Sequence, residues 1–290
     1  VMSSLEDIGP RVSPGEYPYD SLSAGVPQGH KDLIHVVNFN DLESIAYVVE
    51  KYPVACIILE PILQNIGIVK PNENYLKGLR EMADEKGFLL IFDEVKTGFR
   101  HALGGYQSIC GITPDLSSFG KAVANGYPIG VIGGKKKYMD YFNHPEKGKR
   151  VLIAGTFNAH PFTDAAAIAT LKKLSSPEFA VYDHLENMGG LLEKGLIDIF
   201  NRYDKPFKVA RIKSAYCVYF MDHAPVDFHD IVLNHDFEWD KAYRNELIHE
   251  GVYNFPLPIK QGSISFAHTE KDINETLDKT EKVVKKLMNK

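Results

Sequence analysis

A chain of 290 residues with 44% hydrophobic and 24% charged residues is long enough for one large core or for a large and a small domain, and is neither disordered nor fibrous. A net charge of −5 and a pI near 6.1 give no electrostatic footprint for nucleic acid or an anionic membrane, and the runs Lys135 to Lys137 and Lys147 to Arg150 read as solvated faces. No apolar run approaches a membrane span, no signal-peptide layout opens the chain, and Cys56, Cys110 and Cys217 are an odd, widely spaced set; we expect a reducing, cytoplasmic setting and no zinc.

In chain order, Val1 to about Lys31 is rich in Pro, Gly and Ser and reads as irregular connection, long for a loop inside a compact domain. His35 to Phe39 is a short strand candidate. Asn40 with Glu43 predicts a capping-box start for a helix whose stripe is Leu42, Ile45, Ala46 and Val49. Val54 to Leu59 reads as a buried strand delivering Glu60. A helix from about Glu73 to Lys86 follows, closed by Gly87. Phe88 to Phe92 is a second apolar strand ending in Asp93 and Glu94, and Leu116 to Gly120 a third, ending on Lys121. Alternating strands and helices predict βαβ units in a mainly parallel sheet. Past Gly134 we expect a short helix over Lys135 to Phe142, a polar loop, a strand over Val151 to Ala154 leading into Gly155 and Thr156, a helix opened by Pro161 and running to about Leu174, and a second long helix within Pro177 to Arg202. Strands at Phe207 to Lys213, Tyr216 to Met221 and Ser263 to Ala267, with helices at Asp240 to Glu250 and from Thr269 onward, have the makeup of a small α+β domain. We expect a large domain over residues 1–174 and a small one over 175–290.

The carboxyl edge of a parallel sheet is where open α/β folds keep their chemistry, so Asp93 and Lys121 could face one pocket. An amine and an acid at neighbouring strand ends suit a carbonyl cofactor: the amine forms an imine with the aldehyde, and the carboxylate keeps a ring nitrogen protonated. Two other readings compete. Lys121 and Asp93 could be a solvated lysine and a strand-end cap. An apolar strand ending in Asp-Glu also serves nucleotide hydrolases, but those need a GxxxxGK[ST] loop, which this sequence lacks.

LLIFDEVKTGFR, then GITPDLSSFGKAVANGYPIGVIGG, then AGTFNAHP resemble in order and spacing the class III aminotransferases, PLP-dependent enzymes of fold type I, and among them the glutamate-1-semialdehyde 2,1-aminomutase branch. LEPILQNIG and SFAHTEKDINETL fit the same family, so the likeness runs from about Gly25 to the C-terminus. It implies an α/β fold of type I, with a partial large domain, a C-terminal small α+β domain and pyridoxal 5'-phosphate as cofactor. Lys121 then matches the lysine of the internal aldimine, which needs an unprotonated amine and hence burial beside the cofactor. Asp93 matches the acid on the pyridine nitrogen, Val95 the apolar residue against the ring, and Asn65 a polar neighbour of the ring hydroxyl. Gly155 and Thr156 match the pair that reaches the phosphate of a second subunit. Glu60 is a strand-end carboxylate with no assigned role, and His160, a departure from the family pattern, reads as a helix-start residue.

The family's Ser-Gly-Thr-Glu-Ala turn and Tyr-His-Gly, which hold the phosphate and stack on the ring, do not occur in this sequence; the aromatics before Gly25 are Tyr17 and Tyr19. The resemblance therefore implies ping-pong amino transfer between a small-molecule amino donor and a carbonyl acceptor through pyridoxamine phosphate, or the aminomutase variant. It would be carried out by a homodimer or by an assembly with a separate N-terminal half. The alternative is a truncated or split-gene half that is inactive alone and serves as a subunit or interaction module. Arg211 is the one arginine of the C-terminal part considered for a substrate carboxylate.

Overall fold

The computed structural model describes residues 10–17 and 24–289; the readings for Tyr19 and most of the first 23 residues lie outside these. After a four-residue helix α1 (Gln28–Lys31), the N-terminal elements run α2 (Leu42–Lys51), β1 (Cys56–Leu59), α3 (Tyr75–Lys86), β2 (Leu89–Asp93), α4 (Gly105–Cys110), β3 (Leu116–Gly120) and β4 (Gly130–Gly134). The four strands form one sheet in the order β1-β2-β3-β4, parallel except for β4. Residues Lys136–Met139 form α5, Pro161–Ser175 α6 and Val181–Phe200 α7. A second, antiparallel sheet, β5-β6-β7, comes from Lys208–Ile212, Ala215–Tyr219 and Gly262–Ser263, with α8 (Phe228–Asn234) and α9 (Phe237–His249) between β6 and β7 and α10 (Glu270–Met288) last.

The helix signals translate directly into contacts. Gly87 ends α3 at φ 80 with its N–H on Ala83 O, a left-handed cap that glycine adopts without a Cβ penalty. Thr269 and Asp272 close a capping box on α10. The cap of α2 is Asp41 rather than Asn40, because Asp41 accepts from Ser44 N at 2.9 Å and from Ser44 Oγ at 2.7 Å. Asn40, at φ 63, instead ties Lys70 O, Val226 O and Asn72 N together.

Three other expectations need correction. His35 to Phe39 is not a strand: Val36 makes a single bridge to Tyr17 and no ladder. Val151 to Ala154 is irregular, with Val151, Leu152 and Ile153 all more than half or nearly half exposed, since no strand edge among the described residues pairs with it. The strand near Ser263 holds two residues, because Ile264 already turns its N–H to Ser214 O.

One core packs α2, α3 and the first sheet's inner residues Leu90 and Phe92 together with Ile62, Ile68 and, from β6, Ala215, Cys217 and Tyr219. Tyr219 acts as a clamp: its hydroxyl donates to Ile66 O and accepts from Ile68 N, both at 2.7 Å, and passes so close to Gly67 that any Cβ there would collide. A second core joins α7, α9 and α10 through Leu192, Leu196, Phe200, Phe220, Tyr243, Val283 and Val284. Asp115 pins the start of β3: it accepts from Leu90 N, Arg80 and Lys135 at 2.8–2.9 Å. Burial opposes its ionisation, but Lys135, the Leu90 N–H and Arg80 outweigh that and bring its pKa to about 2.

Candidate active site

β2 and β3 run parallel in a register that sets Asp93 beside Ser118. Asp93 Oδ1 accepts from Val95 N at 3.0 Å and from Ser118 Oγ at 3.2 Å, and Oδ2 has no hydrogen bond among the described residues. Lys121 stands three residues beyond Ser118, at most about 10 Å further along the strand. It opens a one-turn 3-10 helix at φ 47, a left-handed value uncommon for a residue with a side chain. The lysine is exposed rather than buried, and its side chain has neither a hydrogen bond nor an ion pair among the described residues, although its carbonyl accepts from Gly126 N. Val95 bridges the two strand ends: its methyls lie 3.4 and 4.0 Å from where a Cβ on Gly120 would sit. Asp93, Val95 and Lys121 thus share one edge.

Glu94, the other half of the Asp-Glu pair, faces the opposite way and is fully buried. Its carboxylate accepts from Thr97 Oγ1 and Tyr106 N at 2.7 Å, from Gln107 N at 2.9 Å and from Gln107 Nε2 at 3.2 Å. It therefore fastens the loop after β2 to α4. Alternation along a strand separates the two carboxylates into one open to the edge and one locked in the interior.

Asn65, on the loop after β1, is exposed; its Nδ2 donates to Glu60 Oε1 at 2.9 Å and its carbonyl accepts from Lys260 Nζ at 2.7 Å. Glu60 Oε2 accepts from Gln64 N at 3.0 Å, so Glu60 shapes this loop. Lys96 Nζ reaches Gln64 O at 3.0 Å, and burial is the first cause of its lowered pKa. Gly155 and Thr156 are exposed on the segment before α6, and no bond among the described residues joins them to Asp93, Asn65 or Lys121. His160 is the N-cap residue of α6, in extended backbone, ahead of Pro161. Arg211 is occupied by Glu193 and Glu186, both at 2.7 Å, which removes it from the list of free carboxylate binders.

The donor set suits pyridoxal phosphate: a free amine, a carboxylate with one uncommitted oxygen, and a branched apolar side chain between them. A cleft of about 280 Å³ lined by Pro71, Asn72, Leu76, Cys110 and Ile112 includes none of these residues. Among the described residues no group of three or more His, Cys, Asp or Glu could hold a metal, and no helix is long and apolar enough to cross a membrane.

The family model described as aminotransferase class-III matches residues 16–255. This chain belongs to the class-III aminotransferases. It is 38% identical over 266 residues to glutamate-1-semialdehyde 2,1-aminomutase 2 of Brevibacillus brevis, covering 91% of this chain and 61% of that protein. Among solved structures it superposes on an omega-transaminase from Sphaerobacter thermophilus with a TM-score of 0.81 at 27% identity, covering 91% of this chain and 60% of that one. The FumI protein of Sphingopyxis sp. MTA144, solved in a PLP internal aldimine form, matches with a TM-score of 0.77 at 26% identity over 94% of this chain and 62% of that one. This class-III aminotransferase chain therefore spans about three fifths of the length of the proteins it matches, and its four-stranded sheet with an antiparallel edge strand is part of fold type I.

Two features of this class-III chain were not visible in the sequence. The role of Glu94 has a faint local signature, Thr97 three residues on and glycines at 98 and 105. The approach of Lys260 to Asn65 has none, since 195 residues separate them.

Proposed function

We propose that this chain carries out PLP-dependent amino-group transfer, as an aminotransferase or a 2,1-aminomutase, with Lys121 as its reactive amine. The observation that carries the reading is the placement of two groups at the ends of neighbouring parallel strands: Lys121, its side chain unpaired and its backbone held at φ 47, and Asp93 with its Oδ2 uncommitted. Bound pyridoxal phosphate supplies an aldehyde that captures amines and a ring that draws electrons from the substrate's α-carbon. Lys121 Nζ holds the cofactor, then takes the proton from that carbon and returns it. Asp93 Oδ2 would accept the N–H of a protonated ring, and the bonds from Val95 N and Ser118 Oγ to Oδ1 fix the carboxylate for this. Val95 would pack against the ring, and Asn65 would offer its amide to the ring hydroxyl. Gly155 and Thr156, exposed ahead of α6, present a close-approach backbone and a hydroxyl donor to a phosphate in a second subunit.

The work is assigned to an assembly, a homodimer or a pairing with a separate N-terminal half. Ile58 on β1 and Val131 and Ile132 on β4 are exposed at the two edges of the sheet, and Leu152, Phe157 and Phe162 are exposed beyond it. Residues 1–174 are assigned to the PLP-binding part and 175–290 to the small part; the second core draws mainly on the latter, while Ala215, Cys217 and Tyr219 cross over to pack in the first. The three free cysteines fit a cytoplasmic setting.

Titration of the chain with pyridoxal phosphate tests the reading. A long-wavelength absorbance band should appear with the wild type, vanish in Lys121→Ala and respond to an amino donor only in the wild type. Identical spectra for the wild type and Lys121→Ala would remove the assignment.

A further inference from the structure

We infer that Lys260, backed by Lys96 and Arg100, forms a subsite for the carboxylate of an anionic amino-group substrate. Lys260 Nζ and Lys96 Nζ rest on consecutive carbonyls of the loop after β1, Asn65 O at 2.7 Å and Gln64 O at 3.0 Å, which brings two ammonium groups to one loop, near enough for Lys260 to act on Lys96 electrostatically. Arg100 lies behind them, its Nε on Lys96 O at 3.1 Å and its Nη1 on Ser263 Oγ at 3.3 Å. None of the three has an ion pair among the described residues. Elsewhere the partly buried cations do: Arg80, Lys135, Arg211 and Arg244 each sit on a carboxylate.

The charge near Lys96 is unbalanced. After burial, the influences on its pKa are Glu60, which raises it, and Lys260, Lys121 and Arg100, which lower it. Glu60 is already engaged by Gln64 N and Asn65 Nδ2. An excess of positive charge that the chain leaves uncompensated favours whatever anion enters, and it favours it more where water is partly excluded.

Lys260 is also held in advance. The preceding Ile259 is β-branched at φ 54, a strained conformation that persists only where its surroundings over-determine it. Here Ile259 N donates to Asp240 Oδ2 at 2.7 Å, and Asp240 is itself fully buried and bonded to Arg244 and His235. A strained residue on a rigid anchor delivers Lys260 to the edge of Asn65. The assignment to a substrate rests on the amino-transfer reading, in which Asn65 marks the ring-hydroxyl side.

A carboxylate of the substrate and the phosphate of the cofactor are both anions, and two binding arms separate them. The dissociation constants of glutarate and of pyridoxal phosphate are measured by calorimetry on the full chain and on Lys260→Gln and Lys260→Arg, with thermal unfolding as the folding control. Glutarate affinity should fall about tenfold in Lys260→Gln and stay within about threefold of wild type in Lys260→Arg, while pyridoxal phosphate affinity is unchanged in both. Glutarate that fails to bind the wild type, or binds Lys260→Gln equally well, overturns the subsite. A matching fall in pyridoxal phosphate affinity overturns the substrate assignment in favour of the phosphate. Borohydride labelling run in parallel separates the two claims: label on Lys121 with unchanged glutarate binding removes this subsite and leaves amino transfer standing. No label on Lys121 with the tenfold fall intact removes amino transfer and leaves an anion site.

Discussion

Replacing Glu94 by Gln should destabilise the chain severely, while the same change at the adjacent Asp93 should barely register. Each oxygen of Glu94 accepts two bonds: Oε1 from Gln107 N and Nε2, Oε2 from Tyr106 N and Thr97 Oγ1. An amide keeps one oxygen and turns an N–H toward the donors that the other one served. One backbone N–H is left buried without an acceptor, at about 1–3 kcal/mol, and charge-assisted bonds become neutral ones, at about 1–2 kcal/mol more. A loss of about 2–5 kcal/mol corresponds to a fall in Tm on the order of 10 °C for a chain of this size. Asn at position 93 keeps an oxygen for Val95 N and Ser118 Oγ on a half-buried side chain, so the cost should stay below about 1 kcal/mol. Far-UV circular dichroism melts of the two variants at neutral pH decide the matter. A Glu94→Gln melt within about 2 °C of wild type, or equal falls for the two variants, would refute the division into a structural and a chemical carboxylate.

Gly105→Ala should cost about 2–4 kcal/mol in urea unfolding, because φ is +72 there and the new Cβ would lie 2.6 Å from Glu94 Oε1. His101 should make stability depend on pH: burial first, then Arg100 and Lys213, lower its pKa from 6.5 to about 3, so the unfolded chain binds the proton first. That contribution is complete above pH 6.5 and is lost as pH falls toward 3, by about 2 kcal/mol between pH 6.5 and 5. Asp115 and Glu16, each at about 2 when folded, act only below about pH 4.5. In His101→Gln, the difference between unfolding free energies from urea titrations at pH 6.5 and 5 should shrink by that amount; an undiminished difference would show that His101 is not its source.

Periodicity and punctuation were enough to find β2, β3 and the long helices, because their signals are local: an apolar run stopped by Asp93, another stopped by Lys121, Gly87 as a left-handed cap, and Thr269 with Asp272 as a box. Where two local signals compete, geometry chooses between them, as when Asp41 rather than Asn40 reached the N–H of Ser44. Strand formation is not local. Val151 to Ala154 has strand composition but no strand partner among the described residues, whereas the glycine-rich GVIGG of β4 forms a full antiparallel ladder with β3, its small residues allowing close approach at Gly134. The site divides the same way. Asp93 and Lys121 were legible as strand-end residues and Val95 only through the family resemblance, but the meeting of Lys260 with Asn65 depends on the packing of two distant parts of the chain.

The central claim is that Lys121 is the amine that holds the cofactor. The purified chain, mixed with pyridoxal phosphate, reduced with borohydride and digested, should give a pyridoxyl label on the peptide containing Lys121 and on no other in stoichiometric amount. Label spread over surface lysines, or concentrated on Lys96 or Lys260 instead, would contradict it.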